Sequence, residues 1–194
     1  MDGREKFTGK AAEYRKYRPD YPQAFIDYLR REIGMGRDSI VADIGAGTGI
    51  LTRQLGEHVK QILAVEPNPE MRMACETYCR DLAGFTAVDG SAEDSGLPEG
   101  AVDLITVAQA FHWFDQDRAK REFQRILKPA GRAVLVWNRR EPESELIQAV
   151  KTACSLISPD STAFPAAWRS GPMLMPGSSR RGAAIIKCLI IVGY

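Results

Sequence analysis

The chain holds 194 residues, 44% hydrophobic and 26% charged, with 26 Lys and Arg against 25 Asp and Glu for a net charge of +1. That composition supplies one sizeable core but no global field for gathering nucleic acid or an anionic membrane surface, so a small-molecule partner is expected instead. The opening residues, 1–10, lack the apolar run of a signal peptide, and no stretch reaches the length of a membrane span, which predicts a cytoplasmic protein.

In chain order, residues 1–36 read as a helical lid. It consists of a short helix over 10–17 stopped by Pro19 and a second over 22–33 opened by Pro22. From 39 to 138, strand-like apolar runs at 40–44, 61–66, 85–89, 102–108 and 132–137 alternate with helical patterns at 48–58, 69–81 and 116–127, the last punctuated by Pro129 and Gly131. Alternation of this kind predicts a parallel sheet with right-handed crossovers. Several strands are too uniformly apolar for a sheet with one wet face, so helices should cover both faces. The expected fold is a doubly wound, mainly parallel α/β sheet whose core spans 37–157. Past Pro142 the pattern weakens: a helix at 144–157, a Pro, Ser and Gly-rich stretch at 158–182, and an apolar run at 183–192 that reads as an edge or terminal strand. Residues 158–194 are therefore taken as an irregular C-terminal segment.

Four cysteines occur. Cys75 and Cys79 lie four apart in a helical pattern, while Cys154 and Cys188 stand alone. Those spacings match neither a zinc site nor a disulfide framework and imply reduced thiols. The two histidines, His58 and His112, have no carboxylate or thiol constellation around them, and no metal is expected.

The strongest local signal is Val41-Ala42-Asp43-Ile44-Gly45-Ala46-Gly47-Thr48-Gly49, a buried strand running into three alternate glycines and then a helix, where backbone can approach a ligand closely. The second strand ends in Ala64-Val65-Glu66-Pro67-Asn68. This puts the Glu66 carboxylate at the carboxyl edge beside the glycine loop, where it can accept both hydrogen bonds of a ribose diol. A dinucleotide dehydrogenase would show G-x-G-x-x-G or A. Here the spacing is G-x-G-x-G, and Ile50 fills the place that must be small. Asp43 also puts negative charge where a pyrophosphate would be repelled and an ammonium group welcome. A nicotinamide oxidoreductase is the weaker reading for these reasons.

The run from Asp43 to Gly49, Glu66, Ser91-Ala92-Glu93 and Gln109-Ala110-Phe111-His112-Trp113 together resemble class I S-adenosylmethionine-dependent methyltransferases over residues 10–140. Within that superfamily the chain is similar to the methyltransferase type 11 group, and Ala108 to Phe114 resembles its trans-aconitate methyltransferase-related branch. The resemblance implies S-adenosylmethionine as cofactor, with Asp43, Gly45, Ala46 and Gly47 around the methionine portion and Glu66 on the ribose. It further implies Asn68, Met71, Ser91, Ala92 and Glu93 near the adenine and Gln109 beside the reacting sulfur. Ser91 stands where a carboxylate often reads the adenine amino group, and either Ser91 or Glu93 can take that part.

Methyl transfer from a sulfonium is an in-line displacement whose donor brings its own leaving group, so positioning is the protein's main task. A carboxylate acceptor is already ionised at neutral pH. A phenol or amine gains from a base, for which His112 is the candidate, with packing or acceptor positioning as its other role. Trp113 and Trp137 are expected to wall the acceptor pocket, and Tyr14 and Arg18 in the lid to clamp an acid. Relatives of this kind complete the sheet with a sixth and an antiparallel seventh strand. Residues 165–194 do not resemble that ending, which keeps a noncatalytic S-adenosylmethionine-binding or partner-regulating domain as the alternative.

Overall fold

The structure, a computed structural model, describes residues 20–140 and 184–192. Its elements are α1 (Gln23–Arg31), β1 (Ile40–Ile44), α2 (Ile50–Gly56), β2 (Gln61–Val65), α3 (Pro69–Cys79), β3 (Phe85–Val88) and β4 (Val102–Ala108). A 3₁₀ turn (Phe111–Trp113), α4 (Gln116–Ile126), β5 (Leu127–Arg140) and β6 (Ala184–Val192) follow. The six strands lie in the order β3-β2-β1-β4-β5-β6. The first five are mutually parallel, and β6 pairs antiparallel with β5 at the edge. Strand order reverses between β1 and β4, the switch point at which open α/β sheets bind ligands beyond their carboxyl ends.

Both faces of the sheet are covered, as the uniformly apolar strands require. On one face α1 buries Phe25, Ile26 and Leu29 against Val41, Leu51, Leu55, Ile62 and Leu104. Each such side chain contributes about 1.5–3 kcal/mol of transfer free energy. The start of α1 is clasped by α2: Tyr21 N–H donates to Gln54 Oε1 at 2.9 Å, and Gln54 Nε2 donates back to the Tyr21 carbonyl at 2.8 Å. On the other face α4 presents Ala119, Phe123 and Ile126 to Ile44, Ile105, Val107 and Leu135.

Helix starts follow their capping chemistry. Asn68 caps α3, its Oδ1 accepting from Met71 N–H at 3.0 Å, with Pro69 at the first helical position. Asp115 caps α4 by accepting from Arg118 N–H at 3.1 Å. Both satisfy a donor that the helix itself leaves orphaned.

The structure alters several expected boundaries. The helix expected at 48–58 occupies Ile50–Gly56, because Gly49, at φ +82°, holds the chain in a left-handed turn until Ile50. The strand expected at 132–137 runs over Leu127–Arg140: β6 supplies an antiparallel partner from Arg132 to Arg140. Pro129 and Gly131 do not end it, since a register shift between Val102 and Leu104 absorbs the extra residues, with Ala130 at φ +65°. The apolar run expected at 183–192 is the edge strand β6. The helices expected at 10–17 and 144–157 lie outside the described residues, as do Tyr14 and Arg18.

Candidate active site

The loop from Gly45 to Gly49 leaves β1 and hooks back onto β2. Both Gly45 N–H and Ala46 N–H donate to the Val65 carbonyl, at 2.9 and 3.2 Å, and Gly49 N–H closes a turn onto the Ala46 carbonyl at 3.0 Å. All three glycines have positive φ, but the space around them differs. A Cβ on Gly45 would stand 2.7 Å from the Ala110 Cβ, and one on Gly49 would stand 2.7 Å from the Cys75 sulfur. A Cβ on Gly47, at φ +58°, would meet nothing within 4 Å. Gly45 and Gly49 therefore serve the protein's own packing, while Gly47 leaves the open face that a ligand can fill.

Beside that open face lies Glu66. It is buried, its Oε2 accepting from Gly47 N–H at 2.8 Å and its Oε1 from Asn68 N–H at 2.9 Å. Each oxygen thus has one fixed donor and retains a second lone-pair direction for a ligand hydroxyl. Burial pushes its pKa up, against those two backbone hydrogen bonds. Arg72 braces the strand end by donating to the Glu66 carbonyl at 2.7 Å and to Asp89 Oδ1 at 3.0 Å. Met71 and Ala92 are both buried.

The segment after β3 is latched to α4 at two points. Glu93 Oε1 accepts from Asp115 N–H at 2.8 Å, and Glu122 accepts from Ser95 N–H and from Arg125 Nε at 2.9 and 2.7 Å. Ser91 folds the turn between them, its Oγ accepting from Glu93 and Asp94 N–H at 3.3 and 3.2 Å. The hydrogen bonds from Arg125 hold the Glu122 pKa down at about 2. The expected adenine-edge residues are thus positioned by a rigid support.

Asp43 is 1% exposed. Its Oδ2 accepts from Thr52 Oγ1 at 2.7 Å and its Oδ1 from Thr106 Oγ1 at 2.9 Å, so one carboxylate ties β1 to α2 and β4 beneath the loop. Burial pushes its pKa up to about 6, the threonine hydroxyls opposing. The sequence reading missed both threonines. Thr106 carried a legible signal as a lone hydroxyl in a buried strand, whereas Thr52 had none beyond helical position.

At the carboxyl end of β4, Gln109 has φ +60°, a left-handed conformation uncommon for a residue with a side chain, while its N–H donates to the Val136 carbonyl at 2.9 Å. Gln109 Nε2, Trp137 Nε1 and Thr48 Oγ1 are buried polar atoms with no hydrogen-bond partner among the described residues. Unsatisfied buried donors cost about 1–3 kcal/mol each, and backbone strain of this kind about as much, which marks this edge as shaped for something besides stability. Trp137 is buried and meets Phe111 edge to face at 6.5 Å. His112 and Trp113 are both exposed, with ring centroids 4.6 Å apart, and Trp113 is 44% accessible despite its size.

The fold and this edge define an S-adenosylmethionine-dependent methyltransferase domain of class I. Residues 42–135 match the family model described as a methyltransferase domain. It is 34% identical over 172 residues to an uncharacterized methyltransferase-like protein of Schizosaccharomyces pombe, covering 88% of this chain and 65% of that one. It is also 40% identical over 135 residues to an uncharacterized methyltransferase of Mycobacterium tuberculosis, covering 70% and 53%. The chain thus spans between about half and two thirds of the length of these curated relatives. A solved S-adenosylmethionine-dependent methyltransferase from Aquifex aeolicus shares the fold, with a TM-score of 0.66 at 17% identity over 94% of this chain and 98% of that one. S-adenosylmethionine is the cofactor of the family. The residues present fit it: Gly47 faces open space, Glu66 keeps an acceptor direction on each oxygen, and Thr48 and Gln109 hold buried polar atoms without a hydrogen-bond partner among the described residues.

Proposed function

We propose that the chain transfers a methyl group to a small-molecule acceptor, most suitably a carboxylic acid, and that it works in the cytoplasm. The observation that carries this is the carboxylate of Glu66, held by two backbone N–H groups beside the open face of Gly47. Among the described residues no helix is long and apolar enough to cross a membrane.

Bound S-adenosylmethionine supplies an electrophilic methyl and its own leaving group. Glu66 accepts the two ribose hydroxyls, and Gly47 lets the backbone approach the nucleoside. Asp43 contributes negative charge beneath the loop, where the methionine ammonium group would lie. Met71 and Ala92 furnish an apolar surface for the adenine ring, while Asn68, Ser91 and Glu93 shape its polar edge. Gln109 and Trp137 supply buried N–H donors that suit an oxygen acid, whose carboxylate offers several lone pairs to accept from them. His112 accepts a proton when the acceptor arrives protonated. Trp113 forms a wall of the acceptor pocket, and Tyr14 and Arg18 close over it and pair with an acid.

Calorimetric titration with S-adenosylmethionine, S-adenosylhomocysteine and NAD, followed by methyl transfer to carboxylic acids, phenols and amines, tests the proposal. We expect binding of the first two alone and turnover on acids. Binding without turnover on any acceptor would identify a noncatalytic domain, and binding of NAD alone would overturn the glycine-loop reading.

A further inference from the structure

Two thiols take no part in that mechanism. Cys75 and Cys79 are free, fully buried and four residues apart, so they share one face of α3. That face looks onto the last glycine of the loop. An ideal Cβ on Gly49 would stand 2.7 Å from the Cys75 sulfur and 3.1 Å from the Cys79 sulfur, so both sulfurs converge on the same point of the loop backbone. Cys79 Sγ also donates to the Gly49 carbonyl at 3.7 Å, the same carbonyl that accepts from Arg53 N–H at 2.9 Å to begin α2.

The consequence is steric. Any atom added to either sulfur on this side needs the space that Gly49 keeps clear only by lacking a side chain. Gly49 is two residues from Gly47, and its left-handed turn sets the direction in which the loop meets the ligand face. The Cys75 thiol, by hydrogen bonding to Cys79, lowers the Cys79 pKa, and the Arg53 guanidinium acts the same way against burial.

We propose that Cys75 and Cys79 form a dithiol site for a soft, thiol-bridging electrophile, and that its occupation and donor binding exclude one another through Gly49. This rests on the donor-site reading above. With a trivalent organoarsenic oxide, two As–S bonds form and the As=O bond breaks. The oxygen leaves as water with both thiol protons, and no electron is transferred, so no oxidant is needed. Exclusion is reciprocal by linkage: a bridge that shifts Gly49 weakens the donor, and bound donor weakens the bridge by the same factor at equilibrium.

The test uses the full chain carrying Cys154→Ala and Cys188→Ala, which removes the other two thiols, with phenylarsine oxide as probe. We expect a single 1:1 adduct by intact-mass spectrometry, formed at least tenfold more slowly with saturating S-adenosylhomocysteine. The adduct should bind S-adenosylhomocysteine at least tenfold more weakly, and excess ethanedithiol should restore binding. Cys79→Ala in the same background should keep that binding and lose its sensitivity to the reagent. Absence of an adduct under native conditions, or an adduct that binds S-adenosylhomocysteine as well as the untreated chain, overturns the inference. Failure of the untreated chain to bind S-adenosylhomocysteine instead removes the donor-site reading beneath it.

Discussion

Gly47 and Glu66 act as one unit, the glycine N–H donating to the carboxylate at 2.8 Å across the gap between the first two strand ends. Asn68 N–H holds the other oxygen at 2.9 Å. In Glu66→Gln one oxygen becomes an NH₂ facing a backbone donor, and the ribose loses an acceptor. S-adenosylhomocysteine affinity should fall by about ten- to a hundredfold, corresponding to about 1.5–3 kcal/mol for charge-assisted bonds. Calorimetry reads this directly, and an unaltered Kd would remove Glu66 from the donor site.

Two glycine substitutions should separate binding from folding. Gly47→Ala carries only the left-handed penalty of about 1–2 kcal/mol in stability, since nothing stands near the new methyl, yet it fills the ligand face and should abolish donor binding. Gly49→Ala adds overpacking against the Cys75 sulfur and should cost about 2–5 kcal/mol in total. Thermal unfolding and calorimetry on the pair check the contrast. Equal stability losses would mean that the loop relaxes around both.

Asp43 should make the protein less stable toward neutral pH. Its pKa rises from 3.8 to about 6 on folding, chiefly through burial. The native state therefore binds the proton more tightly, and this contribution is fully present below pH 3.8 and lost as pH rises through 6. Its size is on the order of 3 kcal/mol. Glu122 has the opposite sign: held at about 2 by Arg125, it stabilises above pH 4.5, and that contribution is lost as pH falls through 2. Asp43→Asn keeps both threonine hydroxyls satisfied because they can rotate. It should raise stability at pH 7, flatten the slope between pH 4 and 6, and weaken S-adenosylmethionine binding. Urea denaturation across pH 4–8 measures the first two effects, and a slope unchanged in the variant would assign it to another group.

Trp137→Phe keeps an aromatic ring against Phe111 but a smaller one, and deletes the buried indole N–H. Loss of the orphaned donor offsets the cavity left by the smaller ring, so stability should change by no more than about 1 kcal/mol. KM for an oxygen acid should rise about tenfold, with S-adenosylhomocysteine affinity unchanged. Steady-state kinetics on the acid that is turned over checks the split, and an unaffected KM would confine Trp137 to the core.

Much of this architecture was legible because short-range rules dominate it. The β1–loop–α2 unit and the place of Glu66 after β2 follow from apolar runs and glycine spacing, both local in the chain. The length of β5 was not, since the nine-residue strand β6 that extends its pairing begins more than forty residues later. Gly45, Gly47 and Gly49 look equivalent in one dimension. Ala110, Cys75 and Cys79 arrive from distant elements to make two of them packing glycines and leave the third facing open space.

By itself, then, the sequence determined the class of fold, the nucleoside character of the site and the position of Glu66, because these depend on periodicity and on neighbours within a few residues. Only the tertiary structure decided that Asp43 is an internal tie bonded to Thr52 and Thr106, that Glu93 and Ser95 are latched to α4, and that Gln109 and Trp137 hold buried donors with no acceptor among the described residues. Burial and hydrogen-bond satisfaction are set by which elements meet across the sheet, and that is a property of contacts between residues far apart in the chain.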